Sequence, residues 1–248
     1  MTDIEISRNS KNDRKNYFYP DLPKAYQITQ YENPLCTSGE LRIPTEAGEK
    51  SIRINRIHLE EDAGKLLHRG EKGTLIDHNR CGIPLIEVVT EPDIRSADEA
   101  VTFLKTLRTL LLYAGVSDCK MQEGSLRCDV NLSVRKKGET ALGVRTEMKN
   151  LNSFINIHKA IMAEYRRQVD SLEQGTPIRR ETRRFDPTTG QTVLLRVKES
   201  ESDYRFLSEP DLPPFHLSSE LVETLMGAYA KVTGDYESQP RSSGGATY

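Results

Sequence analysis

The 248 residues, 36% hydrophobic and 29% charged, hold enough apolar material for one sizeable core and enough charge to keep its surface in water. No apolar run nears the roughly 20 residues of a bilayer-spanning helix, and the opening MTDIEISRNSKNDRKN has no apolar signal core, so neither membrane insertion nor export is expected and a cytoplasmic protein is. A net charge of -2 rules out a general electrostatic grip on nucleic acid, and the four cysteines (Cys36, Cys81, Cys119, Cys128) lack the CxxC or CxxH spacing of a zinc site.

In chain order, residues 8–34 interleave Lys and Arg with Tyr and Pro. The prolines oppose a regular helix. Such a loop either packs on its own tyrosines or holds a polyanion by charge and stacking. Residues 39–59 read as a β-hairpin turning near Glu46–Glu49, with His58 expected to be structural because no partner stands at ligand spacing. Three acids, Glu60, Glu61 and Asp62, end the returning strand. A second strand, Ile83 to Val89, is apolar except for Glu87, whose charge needs a cation or a donor if it is buried. An Arg ion pair would serve. So would convergence of Glu61 and Glu87 on Mg²⁺, which takes one or two carboxylates and keeps positions open for phosphate oxygens.

Residues 96–115 predict a helix with Ser96 and Glu99 as a capping box, Ala100, Val101, Leu104, Leu107, Leu111 and Ala114 on one face, and Gly115 ending it. Leu126 to Arg135 alternates, as does Val144 to Lys149. Paired antiparallel, they would present Arg127, Asp129, Asn131, Glu147 and Lys149 on one face, either solvated or serving as a catalytic floor. A second helix is predicted over 153–174, with Phe154, Ile157, Ile161, Tyr165, Val169 and Leu172 on its apolar face. A hairpin around Thr188-Thr189-Gly190 follows, preceded by the basic cluster Arg179, Arg180, Arg183 and Arg184, a solvated rim or a phosphate grip. Glu-Pro-Asp occurs at 91 and at 209, too short to make a repeat. From Gly227 the sequence drifts into a composition read as disordered. Pattern alone therefore gives an α+β domain with a carboxylate-bearing sheet and basic margins, and names no reaction.

The blocks NYFYPDLPKAYQITQY, RIHLEEDAGK, DHNRCGIPLIEVVTEPD, GSLRCDVNLSVR, EMKNLNSF, ETRRFD and DYRFLSEPDLPP, in that order, resemble the GatB family, the B subunits of aspartyl/glutamyl-tRNA amidotransferases. The likeness runs from about Arg8 to Phe215. It implies a glutamine-synthetase-like catalytic (cradle) domain over 1–226, an antiparallel sheet with flanking helices. It also implies a chemistry. The side-chain carboxylate of Glu-tRNA(Gln) or Asp-tRNA(Asn) is phosphorylated with Mg²⁺ and ATP, and ammonia from the amidase A subunit displaces the phosphate, with a small C subunit tying A and B together. By resemblance Glu61 and Glu87 match Mg²⁺ ligands, and Lys15, Lys24 and Asp129 line the ammonia route to the kinase site. Arg127, Asn131 and Lys149, with Glu60 and Glu147, are the floor residues expected around the nucleotide. The Gly-Leu-Glu-x-His-Val strand that opens family members is not matched by Met1–Ser7, and the pattern is left near Met226. A domain truncated at both ends with a tail at 227–248 is therefore the expectation. Its rivals are an inactive remnant that only docks on the A and C subunits, and a ligase of the same fold acting on a free amino acid.

Overall fold

The structure, a computed structural model, describes residues 4–70, 73–197 and 204–238. Strands β1 (Ile4–Ile6), β2 (Asn9–Ser10), β3 (Asp13–Asn16), β4 (Tyr26–Thr29), β5 (Cys36–Thr45) and β6 (Gly48–Glu61) open the chain. They are followed by β7 (Lys65–His68), β8 (Thr74–Asp77), β9 (Pro84–Thr90) and helix α1 (Ala97–Tyr113). The second half holds β10 (Cys128–Leu132), β11 (Thr146–Leu151), α2 (Phe154–Glu173), β12 (Glu181–Asp186), β13 (Gln191–Val197), β14 (Arg205–Ser208), β15 (Phe215–His216) and α3 (Ser219–Ser238).

Two four-stranded sheets carry the fold, one in the order β1-β5-β6-β9 and one in the order β10-β11-β12-β13. In the first, the expected hairpin forms with Thr45 opposite Gly48. Alternation along it buries Leu41, Ile43, Ile52 and Ile54 on one face against Phe103 of α1. Ile43 and Ile52 are fully buried, each contributing about 1.5–3 kcal/mol. Helix α1 starts where the capping pattern puts it: the Ser96 hydroxyl accepts from Glu99 N–H at 3.1 Å. Glu99 does not complete the box. Its carboxylate accepts from Arg95 N–H (2.6 Å) and from Lys50 Nζ (2.7 Å) instead, stitching the helix start to β6. Gly115 closes the helix at φ +66°, a conformation that costs glycine nothing.

The second sheet departs from the antiparallel expectation at one junction. β10 and β11 are antiparallel, as are β12 and β13, but β11 and β12 run parallel, because α2 carries the chain back across the sheet between them. Met148, Leu151, Phe185, Ile157, Ala160 and Ile161 form the core under α2. The apolar face read for α2 is rotated from the real one. Its buried stripe is Ile157, Ala160, Ile161, Glu164 and Gln168, whereas Tyr165 and Leu172 are exposed. Glu164 and Gln168 are inside because partners meet them. Glu164 accepts from Arg167, Gln168 and Thr192, and Arg183 lies 3.5 Å away. Arg183 is thus committed to Glu164, Glu181 and Thr192, not to a solvated rim.

Residues 8–34 hold three short strands where a loop is expected. β14, from far along the chain, pairs with β3, and β3 pairs with β4. Arg14 and Glu209, in a two-point ion pair with a Nε–Oε2 distance of 2.7 Å, lock that junction. Helix α3 continues beyond Gly227 to Ser238, so the loss of structure expected from 227 does not begin there. The rest of that expected tail, 239–248, lies outside the described residues. No helix among the described residues is long and apolar enough to cross a membrane.

Candidate functional site

The site gathers where β4 crosses the end of β6. Register decides which acids meet. β9 pairs antiparallel with β6 so that Glu87 stands opposite His58, and residues directly opposite share a face. Glu60, two residues on from His58, shares it too; Glu61 pairs with Pro84 and points the other way. His58, Glu60 and Glu87 each bring one donor atom to within 4.8 Å of the others. His58 Nε2 lies 3.8 Å from Glu60 Oε2 and 3.9 Å from Glu87 Oε2. The structure does not bring Glu61 and Glu87 together as the sequence reading expects. One step along an extended strand turns a side chain to the opposite face, and that step separates Glu61 from Glu60.

Glu60 is held loosely from several sides. Thr29 Oγ1 donates to it at 3.0 Å, and Lys15 Nζ and Gln27 Nε2 at 3.4 Å each. Burial alone would raise its carboxyl, but the His58 contact, the Lys15 charge and the Thr29 hydroxyl outweigh that and hold it below the ordinary value. His58 is 2% exposed, and among the described residues its Nδ1 is a buried polar atom without a hydrogen-bond partner. Its other ring nitrogen, Nε2, is the one turned toward the two carboxylates. Two carboxylates and an imidazole converging from two strands fit a small divalent cation, the carboxylates suiting Mg²⁺ or Mn²⁺ and the imidazole tolerating the latter well. His58 is the residue that sequence reasoning missed. Its partner is 29 positions away, and only strand pairing joins them.

Glu61 belongs to a second group on the other face. Lys24 Nζ donates to both its oxygens, at 2.6 and 2.7 Å, and Ile28 N–H donates at 3.0 Å. Together Lys24, Glu61 and Asp62 line a small pocket of about 160 Å³ with Leu22, Pro23, Cys81 and Gly82. Arg127 closes on Asp62 through two hydrogen bonds of 3.0 and 2.9 Å, tying the run into β10 to the end of the first sheet. That places Arg127 beside the pocket, but with its guanidinium engaged by a carboxylate.

A third group stands on the open face of the second sheet. Lys149 Nζ meets Asp129 at 2.8 Å and Glu147 at 3.2 Å. Burial would lower the Lys149 amine, but the two carboxylates prevail and raise it, so it is a fixed cation. Asn131 is exposed on the same strand as Asp129. Burial pushes the neighbouring Cys128 thiol up to about 12, which disfavours the thiolate. Of the residues expected to act together, the structure joins Lys15 to Glu60, Lys24 to Glu61, and Asp129 to Lys149, in three neighbourhoods rather than one.

The profile of the GatB/GatE catalytic domain matches residues 1–223. The chain belongs to that family. Relatives of GatB type include the B subunits of the aspartyl/glutamyl-tRNA(Asn/Gln) amidotransferases of Caldicellulosiruptor saccharolyticus, 57% identical over 225 residues, and of Lachnoclostridium phytofermentans, 53% identical over 224. Each alignment covers 90% of this chain and 47% of the relative. A third relative, the corresponding protein of Ruminiclostridium cellulolyticum, is 56% identical over 222 residues, 89% of this chain and 46% of its own. The chain thus spans about half the length of the curated relatives it matches. The GatB signature takes in all three groups described above, from Lys15 to Lys149.

Proposed function

We propose that this GatB-family domain activates the side-chain carboxylate of a misacylated transfer RNA, Glu-tRNA(Gln) or Asp-tRNA(Asn), in a glutamine-synthetase-like cradle. The observation that carries the reading is the convergence of His58, Glu60 and Glu87 beside Lys15 in a domain of this family. A carboxylate resists attack by ammonia because its leaving group would be oxide. In the first step a carboxylate oxygen attacks the γ-phosphorus of ATP and the bond to ADP breaks, giving an acyl phosphate. In the second, ammonia attacks the carbonyl carbon, phosphate leaves with the C–O electron pair, and the nitrogen gives up a proton to leave the amide.

His58, Glu60 and Glu87 would hold Mg²⁺, which supplies positive charge against the phosphoryl oxygens when bound. Lys15 sits at the edge of that cluster, placed to balance whatever negative charge the cation leaves. The Lys24–Glu61 and Asp129–Lys149 pairs are polar groups suited to passing ammonia between sites, where a wholly apolar wall would hold it poorly. Asn131 and Lys149 offer a donor and a fixed cation to phosphate, while Arg127 acts through Asp62 by holding the pocket wall. The amidase A subunit would deliver ammonia and a small C subunit would tie A to this chain.

The test is amidation by the chain co-expressed with the A and C subunits, supplied with Glu-tRNA(Gln), glutamine, Mg²⁺ and ATP. Product in the wild type that disappears in Glu60→Gln supports the reading. An assembled complex that binds normally and forms no product makes the chain a docking module and removes it.

A further inference from the structure

The loop joining β3 to β4 displays its aromatic rings outward. Phe18 is 94% exposed, the highest value among the large apolar side chains of the described residues, and Tyr19 beside it is 53% exposed. Single exposed apolar residues are ordinary, but here two stand side by side on a loop whose backbone is ordered by its own hydrogen bonds. Tyr17 N–H donates to Ala25 O at 3.2 Å, Leu22 N–H to Tyr19 O at 3.0 Å, and Ala25 N–H to Leu22 O at 3.0 Å. Leu22 is buried beneath, and the Tyr17 hydroxyl donates to Gln27 Oε1 at 2.9 Å. The same loop walls the small pocket, through Leu22, Pro23 and Lys24. The rings therefore project from a loop whose backbone is hydrogen-bonded to itself and whose far end borders that pocket.

We propose that Phe18 and Tyr19 are a stacking platform for the unpaired 3′ end of a transfer RNA, on a loop whose two flanking strands both reach Glu60, β3 through Lys15 and β4 through Gln27 and Thr29. This rests on the tRNA-linked substrate read above. Every base has a face that stacks on an aromatic ring, and an aromatic side chain carries few rotatable bonds to immobilise when a base covers it. The nearby cations favour stacking over charge as the source of affinity. Lys15 is paired with Glu60, Lys24 with Glu61 and Arg14 with Glu209, so their charges are largely balanced within the protein. Binding that released few counterions from phosphates would weaken only slightly with salt.

The test uses the purified chain and a short single-stranded RNA ending in CCA, its terminal adenine replaced by fluorescent 2-aminopurine, which stacking quenches. Quenching by the wild type, about tenfold weaker binding in Phe18→Ala, and no change in Tyr165→Ala, an exposed tyrosine on α2, are expected. Raising salt from about 50 to 200 mM should change affinity by far less than the thousandfold typical of a binder that neutralises many phosphates. Absence of quenching by the wild type, or equal affinity in Phe18→Ala, overturns the platform. So does unchanged RNA binding in Phe18→Ala joined to lost co-purification with the A and C subunits, which would make the loop a protein contact. Quenching that behaves as expected in a chain whose complex forms no amide would keep the platform and remove the amidation reading.

Discussion

Glu164 and Glu60 are both carboxylates buried against a sheet, and they are held in opposite ways. Glu164 has no exposed surface and its neighbours are close: Arg167 at 2.6 and 2.9 Å, Thr192 at 2.7 Å and Gln168 at 2.8 Å. Glu60 keeps a tenth of its side chain exposed, and its donors stand mostly farther off, at 3.0 to 3.4 Å, with His58 at 3.8 Å. Burial raises both carboxyls and their partners lower both below the ordinary value. The lesson is that a depressed carboxyl does not mark a site. Glu164 is closed by protein donors that join α2 to β12 and β13, whereas Glu60 faces a second carboxylate and an imidazole nitrogen with room left between them.

The largest effect is expected where the network is closed. Glu164→Ala should lower stability by about 3–5 kcal/mol, because Arg167 would lose its buried counter-charge, Gln168 and Thr192 their acceptor, and Arg183 one of its two carboxylates. A urea titration reads this directly, and a loss below about 1 kcal/mol would put Glu164 in the same class as an exposed pair. Glu60→Gln should cost no more than about 1–2 kcal/mol in the same titration, since Lys15 retains access to water.

Asp93 supplies an intermediate case. It accepts from both the guanidinium and the backbone N–H of Arg53, which holds its carboxyl down at about 2. A carboxyl depressed in the folded state gives stability that is present above the unfolded value near 3.8 and is lost as pH falls toward 2. Arg53 is largely exposed, so the contribution is about 1 kcal/mol or less. Asp93→Asn should flatten that part of the acid limb and leave neutral-pH stability lower by the same small amount. An unchanged acid limb would show that the pair does nothing in solution. The smallest effect concerns Cys128. With its thiol pushed up to about 12, the partly buried Cys128 should alkylate more slowly at pH 8 in the folded protein than in the unfolded chain; equal labelling rates in the two states would contradict that shift.

The contrast between the two carboxylates also explains what the sequence could and could not disclose. Alternation placed Thr146 and Met148 inward and Glu147 and Lys149 outward, and the burial of β11 agrees. The capping serine of α1, the β5–β6 hairpin and the β12–β13 hairpin were legible for the same reason: each depends on neighbours close in sequence. Glu164 and Gln168 were not, because a polar residue on a helix is read as outward unless its distant partners, here Thr192 and Arg183, are known. In the run Glu60-Glu61-Asp62 the phase of the strand is hidden, since three acids in a row show no alternation. Only the pairing of His58 with Glu87 reveals which acid turns toward β9. The parallel step from β11 to β12 was likewise invisible, being a consequence of where α2 returns the chain.

The most direct test of that assignment is Mn²⁺ binding followed by electron paramagnetic resonance in the wild type, Glu60→Gln and Glu61→Gln. A bound-ion signal is expected in the wild type, lost in Glu60→Gln and kept in Glu61→Gln, whose carboxylate is engaged by Lys24 on the other face. A signal kept in Glu60→Gln and lost in Glu61→Gln would contradict that assignment and return the cation to the pocket beside Lys24.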